Sequence, residues 1–396
     1  MSLTDTPRAN RLHIGIFGKR NSGKSSLINA ITGQDIALVS NIAGTTTDPV
    51  YKTMEIPGIG PCVFIDTPGF DDIGDLGELR NNKTKTTADK IDIALIVFTN
   101  LDIAEELEWV QRFKKQKTPI VALINKADTL NCIEKLSNKI HEATGLIPLI
   151  VSTTEKIGIE AIHSAIMALL PEDYDVESIT GTLAKPGDLI LLVIPQDIQA
   201  PKGRLILPQV QTIRDLLDKK CLVMNCTTDC LDATLAVLNK APDLIITDSQ
   251  VFKIVYDKKP ASSKLTSFSV LFAGYKGDIN AYKEGAYAIE HLTPSSKILI
   301  AEACTHAPLA EDIGREKIPH MLRQRIGETL KVDIVSGNSY PEDLSSYDLI
   351  IHCGGCMFNK KYVLSRIHRA QTQGVPITNY GLTIAYLTGI LDKIDY

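Results

Sequence analysis

Gly18-Lys19-Arg20-Asn21-Ser22-Gly23-Lys24-Ser25 constrains this chain more than any other stretch of it. The run matches G-x-x-x-x-G-K-S/T. It follows the apolar segment Leu12–Phe17, which predicts a strand, and opens Lys24–Thr32, which predicts a helix. Glycines let backbone N–H groups wrap a chain of phosphates, and the helix N-terminus adds the positive end of its dipole. Lys24 should reach the β- and γ-phosphates, and Ser25 should ligate Mg²⁺. Gly18, Asn21, Ser22, Gly23, Lys24, Ser25 and Ser26 form the candidate phosphate-binding set.

The surrounding pattern predicts an α/β fold, in which a P-loop domain precedes two smaller α/β domains with parallel sheets. The 396 residues allow two to four domains. Residues 1–171 alternate strand-like runs (Leu12–Phe17, Cys62–Asp66, Ile93–Thr99, Ile120–Asn125, Leu149–Ser152) with helical ones (Lys24–Thr32, Glu105–Lys117, Ile159–Leu170). Residues 172–188 carry prolines, glycines and acids without a period and predict a linker. A second βα series spans 189–268 and a third 269–396.

Asp66-Thr67-Pro68-Gly69 ends one predicted strand and Asn125-Lys126-Ala127-Asp128 another. Asp66 can hold the metal through water, and the Gly69 N–H can sense a γ-phosphate. A carboxylate at Asp128 would accept two N–H bonds from guanine N1 and N2. Adenine has no N2 amine, so GTP is the expected nucleotide. Ser152 and Thr153 are placed to support the base, the weakest of these signals. Gly44-Thr45-Thr46-Thr47-Asp48 lies where a first switch belongs, and Thr46 is favoured to complete the Mg²⁺ shell.

These motifs resemble the TrmE/Era-like GTPases of tRNA modification and ribosome assembly, over about Arg11 to Leu170. Phe70 follows Gly69, so the water-orienting glutamine of Ras-like proteins is absent. The resemblance implies that Asn21 helps bind K⁺, whose charge would stand where an arginine finger places its own. It also implies a water-positioning acid after the second switch glycine. Asp72 fits by spacing, with Asp71 its rival.

Cys304-Thr305-His306 and His352-Cys353-Gly354-Gly355-Cys356 each follow a predicted strand, Lys297–Ala301 and Tyr347–Ile351. In an open parallel sheet such ends converge on one crevice. Three thiolates and two imidazoles there suit a metal centre. Spacing leaves a zinc site, an iron–sulfur cluster with one iron short of a cysteine, and unliganded cysteines as alternatives. Cys221, Cys226 and Cys230 lack a nearby histidine, and we read them, with Cys62 and Cys132, as incidental.

A GTPase domain, a middle α/β segment and a C-terminal Cys-x-His…His-Cys-x-x-Cys pattern together look like the [FeFe]-hydrogenase maturation GTPases. This resemblance spans essentially the whole chain. It implies that Cys304, Cys353 and Cys356 bind a [4Fe–4S] cluster with an exchangeable site, His306 and His352 being motif residues of less defined role. It further implies a homodimer that carries a transient di-iron precursor between two radical-SAM maturases and apo-hydrogenase.

The alternative reading is an RNA-modification or ribosome-assembly GTPase with a C-terminal zinc module. A third is a redox-sensing switch in which a cluster sets the GTPase rate. With 42 Lys and Arg against 47 Asp and Glu, no basic domain stands out, which argues against a nucleic-acid partner. The N-terminus has no signal-like apolar core and no run is long enough to span a bilayer. A cytoplasmic protein with no membrane partner is expected.

Overall fold

The computed structural model describes residues 7–32, 49–56, 59–69, 84–170, 178–196, 205–303, 313–337, 339–355 and 357–396. The chain divides into two compact units, Met1–Tyr174 and Asp175–Tyr396.

The first unit holds strands β1 (Leu12–Gly18), β2 (Val50–Ile56), β3 (Gly60–Asp66), β4 (Ile93–Phe98), β5 (Ile120–Ile124) and β6 (Leu149–Ile150). Their order is β2-β3-β1-β4-β5-β6, with only the β2–β3 pair antiparallel. Helices α1 (Lys24–Thr32), α2 (Ala104–Lys115), α3 (Ile133–Thr144) and α4 (Ile159–Ala168) accompany the sheet. β1 and β4 are buried along their whole length. Strands covered on both faces read as unbroken apolar runs, which is why these were legible in the sequence. One core packs Leu27, Ile28 and Ile162 against Ile14 and Leu95, and another packs Trp109 and Phe113 against Phe17 and Ile96.

The second unit holds two four-stranded parallel sheets. In the first, β7 (Leu189–Val193), β8 (Leu222–Cys226), β9 (Leu244–Thr247) and β10 (Lys264–Ser267) run in the order β10-β9-β7-β8. In the second, β11 (Lys297–Glu302), β12 (Lys331–Ser336), β13 (Leu349–His352) and β14 (Ile377–Asn379) run β12-β11-β13-β14. One core draws on both sheets, with Leu191 and Ile245 from one and Leu299 and Ile350 from the other.

Among the described residues, these strands alternate with α5 (Leu207–Asp218), α6 (Leu231–Val237), α7 (Phe252–Lys258), α8 (Phe268–Lys276), α9 (Ile279–Tyr287), α10 (Ile318–Ile326) and α11 (Lys360–Thr372). A further helix, α12 (Tyr380–Leu387), follows β14. α8 gives Phe268 and Leu271 to the core of the first sheet and Val270 and Ala273 to the shared core. Part of the stretch read as a linker is packed: Ile179, Leu183 and Ala184 lie against the first sheet's core. There the Asp215 carboxylate accepts the N–H groups of Ile179 and Thr180 at 3.0 and 3.1 Å.

The two edges of the first sheet differ. At β10, the Asp395 N–H donates to the Leu265 carbonyl and the Leu265 N–H donates to the Asp395 carboxylate, both at 2.9 Å. At β8 no further strand pairs among the described residues, and Leu222 is 60% exposed. Among the described residues no helix is long and apolar enough to cross a membrane.

Candidate functional sites

β1 delivers the chain into the phosphate loop at Gly18, and α1 leaves it from Lys24. Asn21 and Gly23 have φ of 58° and 86°. The positive φ favours glycine at position 23, and a Cβ there would stand 2.4 Å from Asn125 Nδ2. The Lys24 side chain is buried and curls over the loop, Nζ donating to the carbonyls of Gly18 (2.9 Å) and Lys19 (2.8 Å).

β3 ends at Asp66, directly paired to the loop-bearing strand β1. The Ser25 hydroxyl donates to Asp66 Oδ2 at 2.5 Å, while the buried Oδ1 has no partner among the described residues. Burial pushes the Asp66 carboxyl above its ordinary range, and the Ser25 hydrogen bond, Lys24 and Lys52 oppose that. A bare carboxylate oxygen beside a serine hydroxyl fits a divalent cation. Gly69 lies half-buried three residues on.

Asn125, fully buried at the end of β5, donates from Nδ2 to the Ser22 carbonyl at 2.9 Å. Lys126 takes φ of 61°. The exposed Asp128 accepts a hydrogen bond on Oδ1 from the Ser152 hydroxyl at 2.6 Å. The Ala127 N–H donates to the Val151 carbonyl at 3.1 Å, so the β6 loop bearing Ser152 and the half-buried Thr153 is tied to the Asn125–Asp128 loop. Ser26 is half-buried in the first turn of α1. The site residues Thr46 and Asp72, with Asp71, lie outside the described residues.

In the second unit β11 and β13 are adjacent and parallel, with Ala301 paired to His352. The strands that precede the two cysteine motifs therefore end side by side in one sheet. Cys304, His306 and Cys356 lie outside the described residues. Cys353 is partly buried, and its sulfur accepts the Ala303 N–H at 2.9 Å. Gly355 turns the loop with φ of 62°, and among the described residues nothing lies within 4 Å of where a Cβ at Gly354 would stand. A thiol already holding a backbone N–H, followed by two glycines, fits the way cluster thiolates are held. Among the described residues no three His, Cys, Asp or Glu side chains converge as a metal site.

His352 differs from the expectation of a ligand. It is fully buried, and both ring nitrogens are engaged. Arg366 Nη1 donates to Nε2 at 3.0 Å, and Nδ1 donates to the Cys353 carbonyl at 2.6 Å. Burial, then the Arg366 charge, push its pKa down to about 3, so the ring is neutral. As placed it has no lone pair for a metal. Glu302, at the end of β11, is held by Arg315 (2.8 Å) and the Ser336 hydroxyl (2.9 Å). The sequence reading passed over Arg366, although it shares the buried stripe of α11 with Tyr362, Val363, Ile367 and Ala370. An arginine on an apolar stripe was the available signal.

The other cysteines vary. Cys62 is buried, which pushes its thiol up to about 12. The buried Cys221 donates to the Lys185 carbonyl at 3.3 Å, and Cys230 is exposed.

Three family models match the chain in tandem. A 50S ribosome-binding GTPase model covers residues 13–126. A hydrogen maturase F dimerization domain covers 179–277 and a hydrogen maturase F tetramerization domain covers 280–394. The tRNA modification GTPase MnmE of Flavobacterium johnsoniae is 31% identical over 170 residues, 41% of this chain and 36% of its own. GTPase Era of Heliobacterium modesticaldum is 31% identical over 169 residues, 40% of this chain and 55% of its own. The chain thus spans about half or less of these relatives. A crystal structure of Era with MgGDPNP and 16S ribosomal RNA nucleotides overlaps 54% of this chain and 92% of its own, at 20% identity and a TM-score of 0.37.

Proposed function

Because this chain belongs to the hydrogen maturase F family and carries a GTPase domain, we propose that it hydrolyses GTP while serving as scaffold and carrier of a di-iron precursor of the hydrogenase active site. One observation carries the reading. The GTPase match and both maturase matches lie in one chain, and both cysteine motifs fall inside the C-terminal match.

The hydrolysis converts GTP and water to GDP and phosphate. Backbone N–H groups from Gly18 to Ser26 hold the phosphates, and Lys24 sets a positive charge against them. Ser25, Asp66 and Thr46 would hold Mg²⁺, which when bound neutralises phosphate charge. Asn21 would hold K⁺. Asp128, oriented by Ser152, selects guanine, and Asn125 fixes its loop against Ser22. Gly69 reads the γ-phosphate and Asp72 orients the attacking water.

Cys304, Cys353 and Cys356 would hold a [4Fe–4S] cluster, which when bound leaves one iron open to an exchangeable ligand. His306 is a candidate for that position, and His352 is left out of the ligand set because both its nitrogens are used. Oligomerisation through the second unit, with two radical-SAM maturases and apo-hydrogenase as partners in the cytoplasm, completes the proposal.

Metal and sulfide analysis of anaerobically reconstituted protein, with EPR after reduction, tests it. About four irons and four sulfides per chain with a reduced-cluster signal are expected. One zinc, no sulfide and no reconstitution would overturn the carrier reading.

A further inference from the structure

Arg366 is 2% exposed, and among the described residues the hydrogen-bond partners of its guanidinium are neutral. Nη1 donates to His352 Nε2, and Nη2 donates to the Gly337 carbonyl and to the Tyr362 hydroxyl at 3.2 Å. The rings of Tyr340, Phe358 and Tyr362 surround it, with centroids 4.5–4.7 Å from Cζ. Among the described residues its buried Nε has no partner and no carboxylate pairs with it. Aromatic faces and neutral acceptors offset only part of the cost of burying this charge.

Arg366 leads through the His352 ring to the backbone of Cys353, two bonds of 3.0 and 2.6 Å. Tyr282, Tyr340, Phe358 and Tyr362 belong to one buried core, and Cys353 packs against that same core. A second buried cation holds the same loop. Lys276 Nζ donates to the Phe358 carbonyl at 2.8 Å and lies 3.5 Å from the Gly355 carbonyl.

We infer that Arg366 is a positioning residue for the cysteine-held centre, locking His352 as the Nδ1–H tautomer outside the ligand set and supplying the buried positive charge that offsets the anionic thiolate–cluster assembly. Lys276 supplies a second such charge. The inference rests on the cluster reading proposed above. Its consequence is electrostatic: a buried cation favours the form of the cluster that has gained an electron, and so raises its reduction potential.

EPR-monitored redox titration of the reconstituted full chain tests it. Arg366→Met keeps much of the side-chain volume and removes the charge. Its reduction equilibrium should fall about tenfold, equivalent to about 59 mV for one electron. Arg366→Lys, which keeps the charge, should stay near the wild-type potential. Lys276→Met should move the potential in the same direction as Arg366→Met, and it carries the test should Arg366→Met fail to fold by circular dichroism. His352→Gln, which can still accept from Arg366, should retain full iron content. Wild-type potential in the folded charge-removing variants, or iron loss in His352→Gln, overturns the inference. Wild-type protein that takes up no iron and sulfide overturns the underlying cluster reading instead.

Discussion

The Asn125 side chain donates to the Ser22 carbonyl at 2.9 Å, joining the base-binding loop to the phosphate loop across 103 residues of sequence. Both residues are fully buried. Asn125→Ala would leave the Ser22 carbonyl without that donor, a loss of about 1–3 kcal/mol. We expect a lower thermal midpoint and a GDP affinity reduced about tenfold or more, read by fluorescent-nucleotide titration. Gly23→Ala should do similar harm from the other side, since its Cβ would strike the same amide. Unchanged affinity in both variants would show that this link does not organise the site.

Asp128 owes its orientation to the Ser152 hydroxyl at 2.6 Å. Asp128→Asn replaces one acceptor oxygen by an N–H donor. That mismatches guanine and matches xanthine, which carries a carbonyl at C2. Hydrolysis should lose about 10- to 100-fold in kcat/KM for GTP and gain for XTP. Equal GTP kinetics would remove Asp128 from base recognition.

Much of this architecture was legible because the chemistry and the burial coincide. β1, β4 and β13 are buried throughout and mostly apolar, and each leads directly to a loop carrying glycine, asparagine or cysteine. The edge strands β2 and β12 escaped notice. Lys52, Thr53 and Glu55 in one, and Lys331 and Asp333 in the other, dilute the apolar signal because one side of an edge strand meets solvent. Helix α8 escaped because nearly all of its faces are buried between two sheets, leaving no amphipathic stripe. The fate of His352 was not legible either. Its motif position suggested a ligand, whereas the arginine that occupies its Nε2 lies a helix away in sequence.

Lys24 and the cysteine loop belong to different compact units. Lys24→Ala should therefore abolish GTP turnover while iron and sulfide content stays at the wild-type level. Cys353→Ala should do the reverse, with iron content falling and basal GTP hydrolysis persisting. Phosphate-release assays and metal analysis on the same preparations read both. Loss of cluster in Lys24→Ala would refute the independence of the two sites.

Glu106 on α2 is buried, and burial pushes its carboxyl up to about 7 despite Lys19 at 3.8 Å. Asp102 and Glu105 add to the upward shift. Its folded-state pKa thus lies above its unfolded value near 4.5. The contribution to stability is complete below about pH 4.5 and is lost as pH rises through about 7. Up to about 2–3 kcal/mol is at stake. Glu106→Gln should flatten this slope between pH 5 and 8 in thermal unfolding of the first unit. Parallel wild-type and variant curves would contradict the assignment.

The β8 edge offers the clearest surface for assembly. β10, at the opposite edge of the sheet, is hydrogen-bonded to Asp395, whereas Leu222 on β8 is 60% exposed. Val210 and Leu217 on α5, which packs beside β8, are 41% and 52% exposed. An uncharged open edge flanked by apolar side chains is a template for pairing with another strand. The residues lie inside the match to the dimerization domain. Leu222→Asp places a charge on that edge without touching the core. Light scattering coupled to gel filtration should show the mass moving toward that of a monomer, while circular dichroism and GTP hydrolysis remain near wild type. An unchanged mass would move the interface away from β8.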